Sequence, residues 1–211
     1  MKNIFDAASD YSFEIIFIND GSLVGTQREI EELNRIDPRV KGIELLRNFG
    51  QSPALAAGLD MARGEIIITM DADLQNDPAD IPLFLAKIGE GHDIVSGWRR
   101  DRKDKLITRK IPSMIANRLI ARLTSVHLHD YGCSLKAYRR SALEGVKLYG
   151  DMHRFLPIYA SMQSARIAEI EVRHHPRKFG QSKYGLSRVF KVILDLVTLQ
   201  FFLKFLTKPM R

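Results

Sequence analysis

Two aspartates one residue apart are the part of the sequence with the clearest chemical meaning. Asp71 and Asp73, followed by Gln75, come directly after an apolar segment. Alternate residues of an extended chain face the same side, so the three side chains are predicted to present oxygens together. Such ligands, without histidine or cysteine, favour Mg²⁺ or Mn²⁺, which takes its remaining ligands from substrate phosphates. The alternative is that these acids only solubilise a loop and help to cap the next helix, a role that Asp77 already fills.

An acidic turn closes an earlier apolar segment, 13–18. Its residues are Asn19, Asp20, Gly21 and Ser22. If both apolar segments are strands of one sheet, the turn and the aspartate pair share the edge where α/β sheets hold their ligands. Asp20 is then placed to accept a hydrogen bond from a nucleotide base or ribose. Turns of these residue types are common, so a purely structural turn is the alternative.

Two basic segments, 98–110 and 174–183, are candidates for phosphate binding. Guanidinium groups bind two phosphate oxygens at once, and ammonium groups act as point charges. For any single cation a solvated surface position is the simpler interpretation. Cations and a metal together are what a diphosphate leaving group requires as charge develops on it.

Asp130 begins the predicted strand 130–139. It is a candidate general base or a group that orients an acceptor, with a simple turn acid as the alternative. Cys133 has no recognisable histidine partner and is predicted to be packed rather than nucleophilic. Three histidines later in the chain have no metal-ligand spacing with a carboxylate partner and are interpreted as substrate-edge or structural residues: His153, His174 and His175.

The elements that must position these residues alternate between strand and helix, which predicts an α/β fold with a largely parallel sheet. Ser52 and Pro53 are predicted to be the N-cap and first residue of a helix that ends at Gly64, and Asp77-Pro78 begins another in the same manner. The predicted strands are 13–18, 42–46, 65–70, 93–97, 130–139 and 167–172. The other predicted helices are 26–35, 111–124, 152–162 and 186–206.

Composition limits the class of protein. The 211 residues suit one domain, and 45% hydrophobic with 27% charged residues excludes a disordered chain. A single cysteine rules out an internal disulfide and fits a reducing compartment. The net charge of +7 attracts anions in general. The first ten residues lack the apolar core of a secretory signal, and no run reaches the about 20 apolar residues of a spanning helix.

The last predicted helix has a broad apolar face with cations around Lys204, Lys208 and Arg211. That combination suits a membrane surface. A core helix, or a helix that packs on a further segment, is the alternative.

Six segments of the chain together resemble, in order, the family 2 glycosyltransferases, and within them the polyprenyl-phosphate glycosyltransferases similar to dolichol-phosphate mannose synthase: IIFINDGS, LLRNFGQSPALAAGLDMARGEIIITMDADLQNDP, DIVSGWRRDR, HDYGCSLKAYRR, MHRFLP and HPRKFGQSKYG. The resemblance implies a GT-A (Rossmann-like) fold, a nucleoside-diphosphate sugar donor and a membrane-embedded polyprenyl phosphate acceptor, undecaprenyl or dolichyl. It divides the chain into a catalytic domain, 1–185, and an amphipathic juxtamembrane helix, 186–211, at the cytoplasmic face of the membrane.

The same resemblance implies a role for each matching residue. The metal, Mg²⁺ or Mn²⁺, is expected at Asp71, Asp73 and Gln75. Nucleotide-sugar contacts are expected from Asp20, Gly21, Asn48, Asp71 and Arg99. The reaction centre is expected to include Asp130 and Asp73. Phosphate and acceptor contacts are expected from Arg102, His153, Arg154, Arg177, Ser182 and Lys183.

The chemistry of the acceptor refines the role of Asp130. The second pKa of a phosphate monoester is near 6, so the attacking oxygen is already largely anionic at neutral pH and needs little help from a base. We therefore hypothesise that Asp130 orients the acceptor or stabilises positive charge on the sugar, while cations offset the repulsion between two anionic substrates.

The sequence departs from the family pattern in two respects. The family opens with a strand and a Pro-Val-Tyr-Asn-Glu-like motif upstream of residue 13, and transmembrane helices commonly follow the last residues; we expect this chain to lack both. Leu23-Val24 stands where Thr-Asp is usual.

The rival interpretations are a transferase that extends a glycan at a sugar hydroxyl, and a truncated membrane-associated module without turnover. Nucleic-acid binding is disfavoured, because the basic segments lack interleaved aromatic residues.

Overall fold

A computed structural model of the chain describes residues 11–22, 25–100, 120–122, 124, 126–146, 148, 150, 152–162, 164–176, 198 and 201. Most of the predicted helix 111–124 and nearly all of the terminal helix 186–206 lie outside these residues. Within the described part of the chain, no helix combines the length and the apolar character that crossing a bilayer requires.

The first half of the described chain is a parallel β-α-β unit followed by a helix. Strand β1 (Ile15–Asn19) leads through helix α1 (Thr26–Ile36) to the parallel strand β2 (Val40–Glu44), and helix α2 (Gln51–Met61) follows. Two glycines let the helices lie close to the strands. A Cβ atom on Gly42 would lie 2.6 Å from Ile30 of α1, and one on Gly58 would lie 2.5 Å from Ile18 of β1.

The second half is a separate four-stranded sheet in the order β3-β5-β4-β6, so the prediction that β1 and β3 belong to one sheet is wrong. Its strands are β3 (Ile66–Thr69), β4 (Ile94–Trp98), β5 (Lys136–Arg139) and β6 (Ile167–Glu171), with helices α3 (Ile81–Gly89) and α4 (Leu156–Ser161) between them in the chain. Strands β4 and β6 are parallel, as are β1 and β2, whereas β5 is antiparallel to both of its neighbours. The predicted α/β class is confirmed.

The four-stranded sheet is buried on both faces. Neighbouring residues of a strand point to opposite faces, yet Ile94 and Val95 of β4 are both fully buried. Ile94 packs in a cluster with Leu156 of α4, and Val95 packs in another with Phe84 of α3. Helices therefore cover the sheet on either side, as is usual for α/β folds.

Three local predictions were wrong at the ends of elements. Helix α2 has Gly50 as its N-cap, because a φ of 97° there turns the chain into the helix, and Ser52 lies inside the first turn. The same helix ends at Met61 rather than at Gly64. Strand β5 begins only at Lys136, and residues 130–135 form turns before it.

Candidate functional site

The aspartate pair lies just beyond the carboxyl end of β3, in a bent segment rather than the extended one predicted. Residues 72–74 form a bend, and Leu74 has a left-handed φ of 62°. Within the bend, Asp73 Oδ1 accepts a hydrogen bond from the backbone N–H of Gln75 at 3.2 Å. The segment is therefore not the extended one from which the alternation of side chains was predicted, and the left-handed Leu74 separates Gln75 from the two aspartates.

Asp71 and Asp73 lie in an environment that favours a cation. The Asp71 side chain reaches solvent, but the surrounding protein desolvates its carboxyl group and, with the negative charge of Asp73, raises its pKa. A hydrogen bond from Ser134 and the charges of Arg99 and Lys136 act in the opposite direction. A divalent cation would relieve the repulsion between the two carboxylates, so their chemistry fits Mg²⁺ or Mn²⁺.

The described residues contain no group of three or more histidine, cysteine, aspartate or glutamate side chains that could hold a metal. Two carboxylates with at most an amide oxygen are an open ligand set. Such a set suits Mg²⁺, which keeps several waters and takes other ligands from substrate phosphates. The donor set therefore fits a metal that is completed by a bound diphosphate.

Gln75 joins this bend to the segment after β6. Its backbone C=O accepts from the N–H of His175 at 2.8 Å, and its side-chain amide donates to the C=O of His175 at 3.4 Å. An isolated antiparallel bridge pairs Asn76 with His174. The start of the basic segment 174–183 is thus fixed beside the aspartate pair, and its predicted phosphate ligands lie outside the described residues: Arg177, Ser182 and Lys183.

Two carboxylates that follow the bend in the chain, Asp77 and Asp80, also bind the segment after β6. Asp80, which is buried, accepts from the backbone N–H and the Nε of Arg173, both at 2.8 Å. Asp77 caps the 3₁₀ turn Pro78–Asp80 by accepting from the N–H of Ala79, and its other oxygen faces His175 at 3.2 Å. The predicted cap at Asp77 is confirmed. The Ala79 N–H, with smaller contributions from His175 and Arg173, lowers the pKa of Asp77.

The acidic turn after β1 is closed onto the loop before α2. Asp20 accepts from the backbone N–H groups of Phe49 (2.7 Å) and Gly50 (2.9 Å), and Asn48 donates its side-chain amide to the C=O of Asp20 at 3.0 Å. A Cβ on Gly21 would lie 2.5 Å from the Asn48 nitrogen. Three predicted nucleotide ligands are therefore brought together, while both oxygens of Asp20 already hold the loop. Each oxygen keeps a second lone pair for a ligand hydroxyl.

The N-terminus of α2 lies between this turn and the aspartate pair. Gln51, its first residue, places its amide nitrogen 3.5 Å from Asp71 Oδ1. The Ser52 hydroxyl lies 2.9 Å from Nδ1 of His153 and accepts from the His153 N–H at 3.3 Å. His153 is thereby attached to the same helix end, where the helix dipole favours anions. Arg154 follows in the 3₁₀ turn Met152–Phe155.

Arg99 and Asp130 form a bidentate ion pair. Arg99 donates from Nε to Oδ2 at 2.7 Å and from its terminal nitrogen to Oδ1 at 3.0 Å, and the two side chains are only 12% and 9% exposed. Burial disfavours the charge on Arg99, but the hydrogen bonds and charge of Asp130 outweigh it and raise the pKa of Arg99. Asp130 Oδ1 also accepts from the N–H of Gly132 at 3.1 Å. Arg102, the neighbouring predicted cation, lies outside the described residues.

Glu169 of β6 supports the position of Asp130. Its carboxylate accepts from the backbone N–H groups of His129 (2.9 Å) and Asp130 (3.0 Å) and lies 2.7 Å from the His129 ring nitrogen. The His129 ring stacks on Trp98 at 4.2 Å between centroids. The alternating pattern of β6 identifies a strand, but it gives no sign that Glu169 reaches back to residue 130.

Lys136 is a second residue that the sequence interpretation missed. It is 3% exposed, and its ammonium group donates to the C=O groups of Tyr131, at 3.2 Å, and Cys133. Desolvation lowers the pKa of Lys136. No local pattern indicated this burial, since Lys136 begins a short strand that also contains Arg139. A lysine is almost never fully buried unless it is paired, and here carbonyl groups of the preceding turn supply the partners. Cys133 is buried, as predicted.

The layers, the parallel β1-α1-β2 unit and the acidic residues at the carboxyl ends of β1 and β3 define an α/β protein of the GT-A class. A solved structure with this fold is glucosyl-3-phosphoglycerate synthase from Mycobacterium tuberculosis in complex with Mn²⁺ and uridine-diphosphate-glucose. It matches 93% of this chain and 80% of its own, with a TM-score of 0.61 and 13% identity. This similarity concerns the fold alone.

The chain belongs to glycosyl transferase family 2, whose sequence model matches residues 1–146. It is 49% identical over 203 residues to a dodecaprenyl-phosphate galacturonate synthase from Rhizobium johnstonii. The matched region covers 94% of this chain and 60% of the relative. It is 39% identical to an undecaprenyl-phosphate 4-deoxy-4-formamido-L-arabinose transferase from Aeromonas hydrophila, over 89% of this chain and 57% of the relative. The chain thus spans less than two thirds of the length of these relatives.

Proposed function

We propose that this chain is the catalytic part of an inverting glycosyltransferase that moves a sugar from a nucleoside diphosphate to a polyprenyl phosphate, undecaprenyl or dolichyl. The observation that carries the proposal is the proximity of an acidic pair, the N-terminus of α2 and the Arg99–Asp130 ion pair. Its similarity to two polyprenyl-phosphate sugar enzymes supports the choice of acceptor.

The donor half of the proposed site serves the diphosphate. Asp71 and Asp73, with Gln75 as a further candidate, would hold Mg²⁺ or Mn²⁺. When bound, the metal neutralises charge on the departing diphosphate. Asp20, Gly21 and Asn48 would contact the nucleotide, and the N-terminus of α2 would face its negative charge.

The acceptor half would receive the lipid phosphate. Arg102, Arg177, Ser182 and Lys183 would bind phosphate oxygens, and His153 with Arg154 would line the same pocket. We place this half at the cytoplasmic face of the membrane, where the proposed juxtamembrane helix 186–211 would follow the catalytic domain 1–185. One acceptor phosphate oxygen attacks the anomeric carbon, a bond forms there, and the bond to the nucleoside diphosphate breaks.

Asp130 has an orienting role in this proposal. Both of its oxygens accept hydrogen bonds from Arg99, and one also accepts from Gly132. A carboxylate held in this way is a poor proton acceptor, because the guanidinium stabilises its charged form. The same geometry disfavours a sugar hydroxyl as the acceptor, since that group requires a general base.

Asp130→Asn is expected to lower the transfer rate by a similar factor at every pH between about 6 and 9. The acceptor phosphate is largely ionised above its second pKa near 6, so its attack needs no base at any of these pH values. The measurement is the pH profile of kcat for both proteins, with the profile of the unmodified chain as the control. A loss that disappears as the pH rises would contradict the orienting role and restore a base.

The donor site is tested by thermal unfolding with panels of UDP-sugars and GDP-sugars, with and without Mn²⁺. We expect stabilisation that requires both the metal and one nucleotide, by about 2.7 kcal/mol at a hundredfold excess over Kd. The same titration of Asp73→Asn is expected to give no metal-dependent shift. A folded chain that shifts with no combination would contradict the proposed donor site.

A further inference from the structure

We propose that Ser134 is a positioning residue for Asp71: its hydroxyl fixes the backbone of Asp71 and holds the Asn76 end of the same bend. The inference rests on the proposed function, because it assumes that Asp71 is a metal ligand.

The contacts of Ser134 join three parts of the site. Its Oγ accepts from the backbone N–H of Asp71 at 3.3 Å and from the side-chain amide of Asn76 at 2.9 Å. Its C=O accepts from the hydroxyl of Thr69, the last residue of β3, at 2.8 Å. Asn76, at the far end of the bend, is buried. Ser134 therefore contacts both ends of the bend that holds the aspartate pair.

Both acceptor positions of the Ser134 hydroxyl are used. A serine hydroxyl has two such positions, and the Asp71 N–H and the Asn76 amide occupy them. The Ser134 side chain also acts on the Asp71 carboxyl group in the direction that lowers its pKa, although desolvation raises that pKa overall. The bond from the Asp71 N–H holds the backbone from which the carboxylate extends, which restricts the positions that the carboxylate can take.

Hydrogen-bond partners of metal-ligating carboxylates have large effects. Their loss typically costs 10- to 100-fold in metal affinity or activity, because the ligand loses its orientation. Ser134 directly follows the turn 130–133, so its contact with Asp71 places the aspartate bend beside the segment that holds Asp130.

The pairing of the strands does not depend on this hydroxyl, whose structural partner is the side-chain amide of Asn76. Ser134 is partly exposed and precedes β5, and Thr69 binds its C=O, which any residue supplies. The register of β3 with β5 pairs Ile66–Thr69 with Lys136–Arg139 and does not involve residue 134. Ser134→Ala is thus expected to remove the proposed function of the side chain and leave the sheet intact.

The test measures Mn²⁺ binding by electron paramagnetic resonance, in the presence of UDP and, separately, GDP. We expect Ser134→Ala to bind Mn²⁺ at least about tenfold more weakly than the unmodified chain. Without metal it is expected to unfold cooperatively in urea, at a midpoint lowered by the loss of the bond from the buried Asn76 amide. Ser134→Thr keeps the hydroxyl and is expected to recover most of the affinity. Ser141→Ala, an exposed serine in the 3₁₀ turn Arg140–Leu143, is the matched control and is expected to bind normally.

Two results would overturn the inference while leaving the proposed function intact: normal Mn²⁺ affinity in Ser134→Ala, or equal losses in Ser134→Ala and Ser134→Thr, which would assign the effect to packing. A different result would contradict the proposed function as well as the role of Ser134. If the unmodified chain binds no Mn²⁺ with either nucleotide, the proposed metal site itself fails, and the role of Ser134 fails with it.

Discussion

Asp73→Asn is expected to lower the rate of sugar transfer by about 10²- to 10³-fold, because a metal that neutralises a leaving diphosphate supplies several kcal/mol and each 1.36 kcal/mol is a factor of ten. The substitution removes the charge and keeps the shape. Asn retains an oxygen that can accept from the N–H of Gln75, so the bend at 72–74 is expected to survive. A lost rate would then report the missing charge rather than a displaced loop.

The measurement is transfer of a radiolabelled sugar to a polyprenyl phosphate with Mn²⁺ present, together with the unfolding midpoint of each protein. Asp60→Asn is the matched control, since Asp60 is an exposed acid near the end of α2. Its rate and midpoint should equal those of the unmodified chain. Full activity in Asp73→Asn would remove Asp73 from the metal site and leave Asp71 without its proposed partner.

Local sequence patterns were sufficient for most of the fold. Apolar segments bounded by turn residues predicted β1 to β4 and β6 to within about two residues, because burial of a strand requires such a run. The cap at Asp77 was predictable for a similar reason: the side chain and the N–H that it accepts from are two residues apart. Contacts of this kind are encoded within a few residues of chain.

Strand direction and single backbone angles were not encoded in these patterns. An apolar run has the same appearance whichever way it pairs, so nothing in 130–139 indicated that β5 is antiparallel to both neighbours. Leu74 adopts a left-handed φ although it is not a glycine. The bend around it, and with it the orientation of Asp73, could not be predicted from residue types alone.

The parts of the site that sequence reasoning missed are contacts between distant residues. Ser52 was interpreted as a helix cap, yet it binds His153, which is 101 positions away. Glu169 of β6 reaches Asp130 in the turn before β5, and Lys136 binds carbonyl groups of the same turn. Each contact depends on the assembled fold, which brings distant segments together. The type of each residue therefore indicated which bonds it could form, and the packing of the fold determined which residue it binds.

Arg99→Met is expected to destabilise the chain by about 3–5 kcal/mol, because removing one partner of a buried ion pair leaves an uncompensated charge. The Arg99–Asp130 pair counts as a buried ion pair, since both side chains are nearly buried and the contact is bidentate. Arg100→Met is the matched control at the next position. Arg100 pairs with Glu171 where both side chains are more than half exposed, and such pairs contribute about 0–1 kcal/mol.

The pH dependence of Arg99→Met distinguishes a stranded charge from lost packing. Without the guanidinium, the buried carboxyl group of Asp130 loses this charged partner, and burial favours its neutral form over the carboxylate. The folded state then takes up a proton as the pH falls, so the variant's deficit in unfolding free energy should be largest at neutral pH and shrink towards acid. Urea unfolding of both variants across pH 5 to about 8 measures this. A deficit that is independent of pH would attribute the loss to packing of the arginine stem.

The double variant Arg99→Met/Asp130→Asn separates the structural role of this pair from its role in transfer. An asparagine in place of Asp130 carries no charge, so the double variant is expected to be more stable than Arg99→Met alone, since replacing a whole buried pair costs far less than removing one partner. Its transfer rate is expected to stay low, because neither the cation nor the carboxylate remains at the reaction centre. Recovery of both stability and rate would show that the ion pair only holds the turn at 130–133, and that the acceptor is oriented by other residues.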